Sequence, residues 1–282
     1  MKIYIQTDIE GVAGFFSFED RDTQTLENFH HRQRMYRLLT GEVSAAVKGA
    51  KDAGADTIYV NDNHGSAYNI LFEELEGGCE ILHGRGGHSP EWLTELKQGW
   101  DAMVLVGMHA MGGELGAVCP HSKWEVNGGR IYMSEASMAM ALAGDLGIPA
   151  VFVSGDQVIT GEVKEKNPDI VTGVVKHSYG PNFCRSVLPA RAQEIIREGV
   201  RKGIEGRRKI KPYVIKGPVN LNLLDAPGHI PPLEPVLKKP VKGKNITEVF
   251  EKALVKFPWA HYGKTKMDWY RYPSNLSGKK PK

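Results

Sequence analysis

One pattern constrains this 282-residue chain more than any other: short strands of the buried type, each running into a loop of polar residues. Ala102–Val106 (AMVLV) and Ala150–Val153 (AVFV) are continuous apolar runs, the kind a parallel sheet covers on both faces. Lys2–Thr7 and Thr57–Val60 are shorter versions that break at Asp8-Ile9-Glu10-Gly11 and at Asn61-Asp62-Asn63-His64-Gly65. Helical periodicity lies between them. Thr40 is expected to cap a helix carrying Val43, Ala46, Val47 and Ala50, with Gly54 ending it. Further helices are expected from Ser134 to Leu146 and over Pro189–Lys202. This alternation predicts an α/β fold, a mainly parallel sheet with helices on both faces. Beyond residue 211, Tyr213–Lys216 and Val219–Leu224 read as strands and Thr247–Phe257 as a helix, with Pro227, Pro231, Pro232, Pro235 and Pro240 in a loop. A smaller C-terminal α+β portion is therefore expected. The chain reads as a single unit over 1–282, divisible into an α/β core at 1–210 and a basic portion at 211–282.

Composition excludes several classes. Apolar residues make up 41% and charged residues 24%, the range of an ordinary globular protein and not of a disordered or collagen-like chain. Three well-separated cysteines (Cys79, Cys119, Cys184) form no disulfide framework and no CxxC metal knot, which suits a reducing compartment. No apolar run approaches the roughly 20 residues that span a bilayer, and Lys2 and Asp8 come too early for a signal peptide. A cytoplasmic location with no membrane partner is expected. The net charge of +3 hides an asymmetry: residues 1–200 carry 17 basic and 27 acidic side chains, residues 201–282 carry 19 and 6.

The strand-end loops carry the chemistry. In open α/β sheets, ligands bind beyond the carboxyl ends of the strands. There the chain presents Asp8 and Glu10, then Asp62 and His64, then His109, followed by His121 and by Glu135 at a helix head. In extended chain, Asp8 and Glu10 point to the same side. Two carboxylates on one site repel unless a proton or cation sits between them. Imidazoles mixed with carboxylates suit Zn²⁺ or a similar first-row metal. With one bridging carboxylate, five such ligands can hold two metals about 3.5–4 Å apart.

Taken in order, these motifs are similar to those of the D-aminopeptidase family of dinuclear zinc metallopeptidases, the dipeptide-transport-operon type. Thr7-Asp8-Ile9-Glu10-Gly11-Val12-Ala13-Gly14 resembles the family's D-x-E-G-x-x-G opening. Val60-Asn61-Asp62-Asn63-His64 resembles V-N-D-x-H, Gly107-Met108-His109-Ala110 resembles G-x-H-A, and His121-Ser122 matches an S-H-S-like segment in which Pro120 replaces the small residue. Ser134-Glu135, Gly155-Asp156, Val175-Lys176 and Leu188-Pro189-Ala190-Arg191-Ala192 agree as well. The likeness runs from Met1 to about Lys202 and fades beyond. It implies two Zn²⁺ per subunit, with Asp8 bridging and Glu10, His64, His109 and Glu135 completing the shells. His121 is then the catalytic histidine, close to the metals without ligating them. It further implies hydrolysis of short peptides with an N-terminal D-amino acid by a dinuclear zinc-activated water, and a homodecamer enclosing the active sites.

Two other readings compete. The same metal set could serve another amidohydrolase or a phosphoesterase, with Arg85, Lys123 and Arg130 as candidate phosphate clamps. Alternatively, the basic C-terminal region, with Trp259, Tyr262, Trp269, Tyr270 and Tyr272 among its lysines, could bind nucleic acid without catalysis. Nucleic acid is not the expected partner; a basic surface and an aromatic subunit contact are.

Overall fold

The computed structural model describes residues 1–20, 23–84, 92–254 and 256. Arg85, His88 and the aromatic, basic tail therefore lie outside the described residues, as does the end of the helix expected to reach Phe257. In chain order the elements are β1 (Lys2–Thr7), α1 (Leu26–Asp52), β2 (Thr57–Asp62), β3 (Glu80–Leu82), β4 (Ala102–Met108), β5 (Lys123–Val126), β6 (Ile131–Met133), α2 (Glu135–Asp145), β7 (Ala150–Asp156), α3 (Gln157–Lys166), β8 (Val171–Gly180), β9 (Phe183–Ser186), α4 (Pro189–Gly206), β10 (Val219–Asp225), β11 (Glu234–Pro235), β12 (Val241–Gly243) and α5 (Ile246–Leu254).

Seven strands form the main sheet in the order β3-β2-β1-β4-β7-β8-β9. Every neighbouring pair is parallel except β8 with β9. The alternation of side chains along each strand divides the core. Ile3, Ile5, Val104 and Val106 pack with α1 and α4 on one face, while Tyr4, Met103 and Leu105 pack with α2, α3 and α5 on the other. The buried-type strands thus have helices on both faces, as their composition predicts.

A second, antiparallel sheet runs β11-β10-β5-β6, with β12 also paired to β10. The C-terminal strands do not stand apart from the core. β10 pairs with β5 from Leu221↔Val126 to Leu224↔Lys123, so they complete a sheet begun between β4 and α2.

Two local expectations are corrected. The first long helix starts at Leu26; its cap is Thr25, fifteen residues before Thr40, with the hydroxyl accepting from Asn28 N at 3.2 Å. Thr40 lies inside the helix and donates to the Tyr36 carbonyl at 2.7 Å. Met35, Tyr36 and Leu39 extend the buried stripe toward the N-terminus, at a spacing that the surrounding His and Arg residues disguise. Tyr213–Lys216 joins no ladder. A side chain on Gly144 of α2 would strike the Tyr213 backbone there, so that segment packs against a helix and not against a strand.

Candidate metal centre

The strand order places the site. From β1 the chain moves outward to β2 and β3, then returns to lay β4 on the other side of β1. The crevice at such a reversal is where α/β sheets bind ligands. Asp8 follows β1 and His109 follows β4, on either side of that crevice. Asp8 N bonds the Val106 carbonyl at 2.9 Å and Gly11 N bonds the Gly107 carbonyl at 2.8 Å, locking the two strand ends together. Both glycines are required. A Cβ on Gly11 would run into the Met108 carbonyl and one on Gly107, at φ +73°, into the Asp8 carbonyl.

The fold brings the six expected residues together. Among the described residues, two groups of metal-type side chains occur: Asp8, Glu10 and His64, and His109, His121 and Glu135. Asp8 faces both. Its Oδ1 is 3.0 Å from His64 Nδ1 and its Oδ2 is 3.4 Å from His109 Nε2. Glu10 Oε2 lies 3.2 Å from the same His64 nitrogen, and Glu135 Oε1 lies 3.9 Å from His109 Nε2. Two ligands on one tetrahedral zinc, each at 2.0–2.1 Å, stand about 3.3 Å apart. The spacings here bracket that edge length.

The electrostatics call for cations. Asp8, Glu10, His64 and His109 are all nearly excluded from solvent. Burial, and then the neighbouring Glu10, pushes the Asp8 carboxyl up to about 8. Burial also opposes ionisation of Glu10, but His64, followed by His121 and His109, holds it well below the usual carboxylate range. Burial opposes protonation of His64, yet Glu10, Asp8 and Glu19 raise it well above the ordinary imidazole value. The buried Glu10 Oε2 and His109 Nε2 have no hydrogen-bond partner. His109 Nδ1–H donates to the Ala110 carbonyl at 2.8 Å, which leaves the Nε2 lone pair aimed at two carboxylates. A lone pair facing carboxylate oxygens is repulsive unless a proton or a cation lies between them. The mixed carboxylate and imidazole donors therefore fit a zinc-type cation.

His121 stacks on His109, ring centroids 3.7 Å apart and 16° from parallel. Its Nδ1–H donates to the Cys119 carbonyl at 2.9 Å, leaving Nε2 available. Cys119 and Ser122 take left-handed backbone angles, φ +46° and +56°, a costly conformation for non-glycine residues that marks functional loops.

Other strand-end residues have structural work. The Asp62 carboxylate accepts from Asn69 N, Asn69 Nδ2 and Ile70 N at 2.6, 2.9 and 3.0 Å, closing the loop that carries His64. Asp156 caps α3 through Val158 N and Ile159 N, both at 3.0 Å. Glu162 accepts from Ser134 Oγ at 2.9 Å and Ser137 Oγ at 2.6 Å, pinning the head of α2 and with it Glu135. Of the candidate phosphate clamps, Lys123 sits over the Tyr132 ring at 4.6 Å and Arg130 lies exposed in a turn.

Glu19 and His229 went unremarked in the sequence, and Lys176 stood there only as part of a matched motif with no role. Lys176 is 1% exposed, and its ammonium donates to the carbonyls of Glu10, Val12 and Phe15, tying down the loop that carries Glu10. Glu19 approaches His64 Nε2 at 3.3 Å. His229, paired through Nδ1 to Asp225 at 2.8 Å, forms an aromatic wall with Phe18 and His121, each ring 5.4 Å from the next. A lone buried lysine has no pattern of its own, and Glu19 and His229 lie in polar and proline-rich stretches that resemble surface.

Residues 1–225 match peptidase family M55, D-aminopeptidase. The chain belongs to the D-aminopeptidase family. Membership of this family makes it a metal-dependent peptidase and a hydrolase. A curated D-aminopeptidase from Bacillus subtilis is 25% identical over 219 residues, covering 75% of this chain and 77% of its own. A solved structure, the Zn-dependent D-aminopeptidase DppA from Bacillus subtilis, a self-compartmentalizing protease, shares the fold. Its TM-score is 0.79 at 21% identity, over 92% of this chain and 98% of that one. Ordered in the chain but scattered along it, the motifs that carry Asp8, Glu10, His64, His109, His121 and Glu135 meet in space.

Proposed function

We propose that the chain is a zinc aminopeptidase that holds two zinc ions per subunit and acts on short peptides with an N-terminal D-amino acid. The observation that carries this reading is Asp8, whose two carboxylate oxygens face different imidazoles 3.0 and 3.4 Å away. Asp8, Glu10 and His64 would hold one ion; Asp8, His109 and Glu135 would hold the other. Zinc bound there would supply a polarised scissile carbonyl and a water whose pKa is lowered toward 7.

The chain's own residues supply the rest. Lys176 and the β1–β4 backbone bonds keep Asp8 and Glu10 in place before substrate arrives, so little reorganisation accompanies the reaction. The Cys119 carbonyl keeps the His121 proton on Nδ1, so Nε2 is free to take a proton from the nucleophile and return it to the leaving amine. The stacked His109 ring fixes the plane of that transfer.

The Bacillus subtilis structure is a self-compartmentalizing protease. We extend that to this chain as a homodecamer enclosing its active sites, in the cytoplasm, where the three free cysteines are at home. The test is hydrolysis of matched D- and L-aminoacyl peptides by zinc-reconstituted protein. Cleavage of the D series with little of the L series is expected. A preference for the L series, or inertness toward both with zinc bound, overturns the proposal.

A further inference from the structure

We propose that Glu19 is a positioning residue for the metal centre, holding His64 in the one tautomer that can ligate. The inference rests on reading Asp8, Glu10 and His64 as a metal triad. His64 has both ring nitrogens engaged: Nδ1 faces Asp8 and Glu10 at 3.0 and 3.2 Å, and Nε2 faces Glu19 Oε2 at 3.3 Å. Imidazole binds a metal only through a lone pair, so one nitrogen must be bare and the other must place its proton elsewhere. A carboxylate at Nε2 takes that proton as a hydrogen bond. It leaves Nδ1 bare toward the two carboxylates with which it would share the ion. Such a carboxylate also raises the basicity of the ligating nitrogen and fixes the ring's orientation.

Glu19 is built for this role. Its side chain is 2% exposed, an expensive place for a carboxylate without compensation. The compensation comes from α1. Arg32 Nε donates to Glu19 Oε1 at 2.9 Å, and the Tyr36 hydroxyl donates to the same oxygen. Arg32 and Tyr36 stand one helical turn apart on a single face, and Arg32 Nη2 donates to the Tyr36 oxygen at 3.1 Å. Oε1 is thus taken up by the helix, and Oε2 is turned to the imidazole. The chain of contacts runs from a rigid helix through Glu19 to His64. This gives the early part of α1, at Arg32 and Tyr36, a purpose that its surface-like composition hides.

The experiment uses the full chain. Zinc is titrated into metal-free wild type, Glu19→Gln, Tyr36→Phe and Asp8→Ala against a competing chromophoric chelator, and ¹⁵N imidazole spectra record the His64 tautomer. Gln offers one acceptor oxygen where the imidazole and Arg32 need two. Glu19→Gln should bind one of two zinc equivalents about 10- to 100-fold more weakly and leave the other unchanged. At a pH where metal-free His64 carries a single proton, that proton should be fixed on Nε2 in wild type and divided between the nitrogens in the variant. Wild-type affinity for both equivalents, with an unchanged tautomer, overturns the proposal. Should Glu19→Gln not fold, Tyr36→Phe decides instead: about fivefold weaker binding of one equivalent is expected, and unchanged binding overturns it. Failure of the underlying dinuclear reading looks different, because wild type itself would then not bind two equivalents or Asp8→Ala would keep both.

Discussion

Asp8 and His121 show how position divides labour between similar side chains. Asp8 is buried between two imidazoles and beside Glu10, so positive charge is drawn to it. His121 spends Nδ1 on a backbone carbonyl, which leaves Nε2 for the proposed proton transfer, although its ring lies within ligating range of His109 and Glu135. Replacing His121 with Ala should leave zinc content intact and lower kcat by about 10²- to 10⁴-fold, the usual value of general acid–base catalysis. Metal analysis beside steady-state kinetics checks this; loss of zinc together with activity would move His121 into the ligand set. At this scale the sequence was informative where residue type, strand-end position and motif order coincide, as at Asp8, Glu10, His64, His109, His121 and Glu135. It was silent at Glu19 and gave Lys176 a motif match without a role; both contacts reach partners 45 and 166 residues away.

At the scale of elements, the site is assembled from strand ends held together by backbone bonds and one buried ammonium. β8 contributes Lys176, whose three donors go to three carbonyls of the loop after β1. Lys176→Met would leave the Glu10 carbonyl without a donor among the described residues, and the Val12 and Phe15 carbonyls with only Phe15 N and the Cys184 thiol, at about 1–3 kcal/mol for a buried group left unsatisfied and about 1.5–3 kcal/mol for each hydrogen bond to a charged group lost. The variant should lose about 3 kcal/mol or more of stability and bind zinc more weakly, as read by denaturant unfolding and chelator competition. Stability within about 1 kcal/mol of wild type would show that the loop holds itself. Buried-type strands such as β4 and β7 were legible because apolar runs of that length have few other uses. The first third of α1 was not, because His and Arg side chains flank its buried Met35, Tyr36 and Leu39. Tyr213–Lys216 has strand composition, but its edge is met by α2 and not by a neighbouring strand.

At the scale of the whole molecule, the described part of the basic stretch shares a sheet and a core with the acidic stretch. β10 lies between β5 and β11, and Trp124, Leu221 and Leu223 share one core with Phe250 of α5. Which strands the C-terminal portion would join was not visible in the sequence, since antiparallel pairing across 95 to 101 residues, from Leu221↔Val126 to Leu224↔Lys123, leaves no local pattern. A chain ending at residue 210 should therefore not fold independently. It would uncover Trp124 and the face of α2 that α5 covers, and thermal melts followed by circular dichroism should lack a cooperative transition. A cooperative melt near that of the full chain would make 1–210 a domain. The charge asymmetry then has a local meaning: the acidic part contains the cluster that draws cations, and the final described elements close the core beneath it.

The central claim is that Asp8 joins two metal positions in one site. Zinc stoichiometry per chain, in wild type and in Asp8→Ala shown to be folded, tests it most directly. Two equivalents in wild type and loss of both without Asp8 are predicted. One equivalent in wild type, or two retained in Asp8→Ala, would contradict it.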